Sequence, residues 1–156
     1  ADEARSGEDF TIVARTDALS VYGLDEALRR GEAYLSNGAD LLFIESPRTV
    51  DEIRSIAHHF RGKSLMINMI EGGITPVLPV QELAEMGYKL VAYALTGLLS
   101  ATDSLLKGFK ELLTHGLPPS GNLTFSDINK LLKTENYIKL SERFSTSSGR
   151  DELPKK

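Results

Sequence analysis

The 156-residue chain contains no cysteine. It can form no disulfide and no thiolate metal site, a composition that fits a reducing compartment. No apolar run reaches the ~18 residues that a membrane helix needs, and no stretch has the form of a secretory h-region. We therefore expect a soluble, cytoplasmic protein with no membrane contact. An organelle remains an alternative, because the chain starts without Met, at ADEARSGEDF. Basic residues never gather into a run interleaved with aromatics, and 18 of them against 22 acidic ones leave a formal charge of −4. That excludes the usual nucleic-acid footprint and favours a small-molecule or protein partner. Neither a GxxxxGK phosphate cradle, nor a Ser/His/Asp arrangement, nor a cluster with metal-ligand spacing occurs. The ending RDELPKK carries DEL, but three residues follow it, so it is no C-terminal retention signal.

What the chain does have is four short apolar runs: FTIVAR (10–15), DLLFIE (40–45), LMINMI (65–70) and KLVAYA (89–94), starting 30, 25 and 24 residues apart. Runs this short and rich in branched residues read as strands buried on both faces of a parallel sheet. Helical patterns lie between them. LDEALRRGEAYLSNG places Leu24, Ala27, Leu28 and Leu35 on one stripe and stops at Asn37-Gly38. TVDEIRSIAHHFRG offers Thr49 as N-cap with Glu52 three residues on, a capping box, and turns Ile53, Ile56 and Phe60 inward. A short helix fits within 79–87 and a longer one over 96–116. The opening ADEAR reads as the last turn of a helix entering a polar loop.

Repeated βα units at this spacing leave two architectures, a doubly wound open sheet or a (β/α)₈ barrel. A barrel typically needs about 250 residues, so four units amount to half of one and the chain is expected to be a fragment. After the turn-rich LPPSGN, FSDINKLLKTENYIKLSERF predicts further helix, with Ser126 or Asp127 as cap, Ile128, Leu131 and Leu132 on one stripe and Tyr137, Leu140 and Phe144 on a second. The expected organisation is a half barrel over 1–116, a helical segment over 117–145 and a polar, disordered tail over 146–156.

Ligands of parallel α/β sheets and barrels bind at the C-terminal ends of the strands. That rule selects Arg15-Thr16-Asp17, Glu45-Ser46, the segment from Asn68 to Gly73, and Tyr93 to Thr96. Arg15 offers a planar fork that can hold a carboxylate or phosphate bidentately; alternatively it pairs with Asp17 or Glu45 and merely closes the rim. Glu45 can orient a ligand, move a proton, or accept from Arg15. Asn68 interrupts an apolar run, so its amide either binds a ligand oxygen or ties down a neighbouring loop. Glu71-Gly72-Gly73 with Thr75-Pro76 permits close backbone approach, although it is also an ordinary turn. His58 and His59 beside Arg61 and Lys63 read as solvated helix surface, and His115 before Gly116 suits a helix C-terminus.

ARTDA closing one strand, GAD leading into FIE, N with EGG-TP on the third and ELAEMGYKLV entering the fourth closely resemble the isocitrate lyase and phosphoenolpyruvate mutase superfamily. The resemblance covers about residues 1–144. It implies a (β/α)₈ barrel in which Mg²⁺ and an arginine hold a 2-oxo or carboxylate substrate that passes through a pyruvate enolate-like intermediate. It maps Arg15 to the substrate-binding arginine, Glu45 to the active-site residue on the next strand, and Asn68, Met69 and Ile70 to a substrate-contacting segment. It also implies a homo-oligomer, dimer or tetramer, in which helices like those after residue 117 are exchanged between subunits.

Two departures stand beside that resemblance. The family's metal-binding aspartates and its Lys-x-Cys-Gly-His type loop belong to the first half of the barrel, so this chain is expected to hold no metal ligands and to be inactive alone. The arginine that methylisocitrate lyases carry after the eighth strand has no counterpart in YALTGLLSATDS, which moves the resemblance toward dimethylmalate-type lyases, oxaloacetate hydrolases and carboxyphosphonoenolpyruvate mutase-like proteins. The expected function is a Mg²⁺-dependent carbon–carbon lyase of substituted malate-like or 2-oxo dicarboxylic acids. The alternatives are a phosphonate P–C mutase or hydrolase on the same scaffold, and a non-catalytic half barrel that associates with a partner.

Overall fold

The computed structural model describes residues 1–145 apart from Ser6, Glu8 and Asn122. The tail expected over 146–156 lies outside the described residues. Elements follow in the order α1 Asp2–Arg5, β1 Val13–Thr16, α2 Ala18–Tyr22, α3 Leu24–Ser36, β2 Leu41–Ile44, α4 Val50–His59, β3 Leu65–Asn68, α5 Val80–Met86, β4 Tyr88–Ala92, α6 Thr96–His115, α7 Phe125–Leu131 and α8 Thr134–Phe144. The chain divides into two compact units, Ala1–Ser104 and one beginning at Leu105.

All strand pairs of the first unit are parallel, and the sheet order is β1-β2-β3-β4. A doubly wound sheet reverses its order at a switch point. The strictly sequential order here has no reversal, so of the two architectures the sequence leaves open, the four βα units follow the barrel one.

Alternation along the strands separates the two faces of the sheet. Leu42 and Ile44 of β2 and Leu65 and Ile67 of β3 join Ala27, Ile53, Ile56 and Leu83 from the helices, and Phe60 just after α4, in one buried cluster. Truncating one of these large side chains to alanine costs roughly 2–5 kcal/mol. Helix α3 lies so close to the sheet that a Cβ on Gly31 would stand 2.7 Å from Leu42 Cδ2 and from Phe60 Cζ. On the opposite face lie Arg15, Phe43, Met66 and Leu90, lateral neighbours in the register. There Val13 and Leu90 at the outer strands are 43% and 44% exposed.

Helix α4 follows its sequence signals with one change. Thr49 Oγ1 accepts the N–H of Glu52 at 3.1 Å, but Glu52 reaches back to the N–H of Arg48 rather than to that of Thr49. The capping box is thus only half formed. Helix α2 has no counterpart in the sequence reading: five residues are too few to show a period, and only Ala18 and Leu19 are buried.

In the second unit, neither Ser126 nor Asp127 is the N-cap of α7. Thr124 is, with its side chain accepting from the Asp127 N–H while the Asp127 carboxylate accepts from the Thr124 N–H. Asp at the third helical position serves where the usual box carries Glu or Gln. Lys133, at φ 52°, breaks the helix between Leu131 and Thr134. No residue of α7 or α8 is buried, although both carry large apolar side chains, Phe125 at 84% and Phe144 at 69% exposure among them.

Candidate active site

Parallel strands deliver their last residues to one edge of the sheet, which places Arg15, Thr16, Glu45, Asn68 and Ala92 at a common end. The Arg-Thr-Asp that closes β1 divides its work by burial. Thr16 is 3% exposed, and its Oγ1 accepts the N–H of Ala18 at 3.2 Å, opening α2. Asp17, the N-cap of that helix, makes no capping bond. Its carboxylate turns to Arg15 instead, accepting from Nη2 at 2.7 Å and from Nε at 3.3 Å.

The same Nη2 stands 3.5 Å from Glu45 Oε2. The guanidinium carbon lies 5.2 Å from the ring centroid of Phe43, the register partner of Arg15 on β2. Hydrogen bonding to Asp17 raises the Arg15 pKa above its ordinary value, with desolvation opposing and the charge of Glu45 adding to the rise. The Arg15 side chain is nevertheless 51% exposed. Ion pairs at that exposure are worth about 0–1 kcal/mol, so an incoming anion can replace Asp17 at little cost.

Glu45 is more enclosed, with 17% of its side chain exposed. Oε1 accepts from Ser46 Oγ at 3.1 Å and Oε2 from Asn68 Nδ2 at 3.3 Å, while its backbone N–H donates to the Thr16 carbonyl at 3.0 Å. The amide that interrupts the apolar run of β3 thus meets a carboxylate from β2. Glu45, Ser46, Asn68, Ile70 and the 73–75 turn line a hollow of about 190 Å³. A hollow of about 300 Å³ beside His59 and Arg61 in the same unit is larger. It lies away from the strand ends, whereas the smaller one collects the convergent polar groups, and position decides in its favour.

Of the segment that the resemblance singles out, Asn68 and Ile70 line this hollow. Met69 does not: it is 0% exposed in the helix-covered cluster, and its N–H donates to the Ala92 carbonyl at 2.8 Å. Ser46, which the strand-end rule selects together with Glu45, lines the hollow too. Phe43 is an addition to the expected set, brought to the site only by its register opposite Arg15. In the loop after β3, Thr96 Oγ1 donates to Glu71, which lowers the pKa of that carboxyl. His59 Nε2 lies 2.7 Å from Glu32 Oε1, joining α4 to α3 away from this end.

Magnesium, which the resemblance implies, needs several oxygen ligands in near-octahedral array. No group of three or more His, Asp or Glu among the described residues could hold a metal ion. At the strand ends Asp17 and Glu45 are already engaged with Arg15. These residues by themselves do not fit the ion.

The chain's likeness to known proteins runs through this same region. Residues 1–113 match the family model for phosphoenolpyruvate phosphomutase. The petal death protein of Dianthus caryophyllus is 37% identical over 147 residues, 92% of this chain and 46% of its own length. The 2,3-dimethylmalate lyase of Eubacterium barkeri is 37% identical over 148 residues, 92% of this chain and 50% of its own length. The chloroplastic carboxyvinyl-carboxyphosphonate phosphorylmutase of Arabidopsis thaliana is 36% identical over 151 residues, 93% and 44% of the two chains.

Among solved structures, a 2,3-dimethylmalate lyase superposes with a TM-score of 0.81 at 26% identity over 92% of this chain and 51% of its own. A phosphonopyruvate hydrolase in complex with oxalate and Mg²⁺ superposes with a TM-score of 0.76 at 25% identity, covering 92% and 52%. The chain spans about half the length of the curated relatives it matches. It belongs to the phosphoenolpyruvate mutase and isocitrate lyase superfamily.

Proposed function

We propose that the chain contributes half of a (β/α)₈ barrel to a lyase that cleaves a carbon–carbon bond in a substituted malate-like or 2-oxo dicarboxylic acid. The observation that carries this reading is the joining of Arg15, Glu45 and Asn68 at one sheet end, in a chain 37% identical to a 2,3-dimethylmalate lyase. Arg15 takes the substrate carboxylate in its planar fork, displacing Asp17. Asn68 and Ile70 border the substrate, and Glu45 faces both the arginine and the amide. As the carbon–carbon bond breaks, negative charge grows on substrate oxygens, and a fixed guanidinium stabilises it without reorganisation.

The exposed outer strands β1 and β4 are where further βα units would pair, and the whole protein would assemble as a cytoplasmic homo-oligomer. Magnesium is expected in that whole protein on ligands outside the described residues; a solved phosphonopyruvate hydrolase carries it. No helix among the described residues is long and apolar enough to cross a membrane.

A phosphonate reading has its own support, since a relative at 36% identity is a phosphorylmutase and the arginine fork suits a phosphonate as well as a carboxylate. A panel of oxaloacetate, alkylmalates and phosphonopyruvate, followed by 2-oxo acid and phosphate release from the native protein, decides between them. Turnover of a malate-type acid is expected. Phosphate release from phosphonopyruvate alone, or its rearrangement to an enol phosphate followed by phosphorus NMR, would favour the second reading, and no turnover of any would sink both.

A further inference from the structure

We propose that Ser46 is a positioning residue for Glu45, its left-handed backbone turning Oγ onto Oε1 so that Oε2 faces Arg15 and Asn68. The proposal rests on the reading of this end of the sheet as the active site. Three observations converge on it.

The first is how the carboxylate is held. The last torsion of a glutamate is broad, so neighbouring hydrogen bonds set the plane of its carboxylate. Oε2 is shared by Asn68 Nδ2 at 3.3 Å and Arg15 Nη2 at 3.5 Å, whereas Oε1 accepts from Ser46 Oγ at 3.1 Å. The Ser46 bond is the shortest of the three. Removing it frees Oε1 to rotate and loosens both contacts on the other oxygen.

The second is strain. Ser46 has φ 61°, a conformation that an L residue adopts only at a cost and glycine adopts freely. It also precedes Pro47, which is fully buried and disfavours compact backbone in the residue before it. A sequence selected for the turn alone would carry glycine here. A hydroxyl-bearing residue at such a position is explained if the hydroxyl is used.

The third is place. Ser46 lines the same hollow as Glu45, Asn68 and Ile70, so its hydroxyl acts inside the site.

The bland alternative is a turn whose hydroxyl bonds its neighbour without consequence. Ser46→Ala removes the hydroxyl and keeps the strain, while Ser46→Gly removes both. In the native protein, on the acid it turns over best, both variants are expected to lower kcat about tenfold, the loss of one hydrogen bond to a charged group, with KM within twofold. Ser46→Gly should melt higher than Ser46→Ala. In a Glu45→Gln background, Ser46→Ala should cost nothing further, because the group it positions is gone. Parent-like kcat in either variant, recovery in Ser46→Gly of what Ser46→Ala loses, or additive losses with Glu45→Gln would each overturn the proposal.

A second readout needs no turnover. The carboxyl carbon-13 resonance of Glu45, assigned by its loss in Glu45→Gln, should move or broaden in both Ser46 variants. A resonance unmoved in both overturns the positioning role whatever the activity. A resonance that moves in a protein with no lyase turnover would remove the proposed reaction and leave the positioning of Glu45 standing.

Discussion

Arginine meets carboxylates at both ends of the first two strands, and the two meetings differ. At the N-terminal end Arg5 donates to Asp2 and Asp40 at 2.5 Å each and also to the carbonyls of Phe10 at 3.0 Å and Gly38 at 3.4 Å. Asp40 in turn accepts the N–H of Ile12 at 2.8 Å, and only 19% of the Arg5 side chain is exposed. At the C-terminal end Arg15 is 51% exposed and, among the described residues, reaches only side chains, Asp17 closely and Glu45 at 3.5 Å. A cluster that closes on backbone groups ties loops together and leaves no fork free. A cluster that closes on exchangeable side chains, beside a strained turn and a hollow, keeps its fork available to a ligand. The same pair of residue types is structural at one end and suited to binding at the other.

Substitutions should therefore separate by end. The largest effect is expected from Glu45→Ala, which strips the common acceptor from Ser46, Asn68 and Arg15. Activity of the native protein, as kcat/KM, should fall by roughly 100-fold or more, while the melting midpoint stays near that of the parent. Asp40→Ala should do the reverse. It removes the acceptor shared by Ile12 N–H and Arg5, so calorimetry should show a lower midpoint while activity per folded molecule is retained. A large activity loss in Asp40→Ala at an unchanged midpoint would erase the contrast between the ends.

The smallest expected effect is a pH dependence. The Ile12 N–H, and then Arg5, hold the Asp40 pKa below its ordinary value of 3.8. A depressed folded pKa contributes stability that is fully present above the unfolded value and is lost as pH falls through the folded one. Below about pH 3.8 the parent should therefore lose stability more steeply than Asp40→Asn does. Parallel curves would show that the Asp40 contacts carry no titratable stability.

How much of this was legible in the sequence differs by level. The strands were visible because branched apolar residues concentrate in them, yet their ends shift inward. Phe10, the start of the first run, is 67% exposed, and pairing begins at Val13. Asp40 lies outside β2, where its carboxylate closes the loop before the strand. The inward faces of α3 and α4 were readable from period alone: Ala27, Ile53 and Ile56 are all 2% exposed or less. Helix α2 was not, because its five residues are organised by the Thr16 hydroxyl and not by a stripe.

At the strand ends, the rule about parallel sheets named Arg15, Glu45 and Asn68 but left open how they engage. The structure shows the Asp17 and Glu45 pairings together rather than one or the other. Pairings across 23 and 30 positions depend on register, and register is carried by the packing of Leu42 and Leu65 under the helices. That packing is a collective property of side chains far apart in the chain. Met69 shows the same limit from the other side: the resemblance groups it with Asn68 and Ile70, while the pleat sends its side chain into the core.

The most direct test of the account is Arg15→Ala in the native protein, with kcat/KM on a malate-type acid measured beside the melting midpoint. Loss of a charge-assisted clamp should cost roughly 2–5 kcal/mol of transition-state binding. The predicted result is a fall of about 30-fold or more in kcat/KM with the midpoint unchanged, since the ion pairs it breaks are exposed. Parent-level kcat/KM in Arg15→Ala would contradict the account.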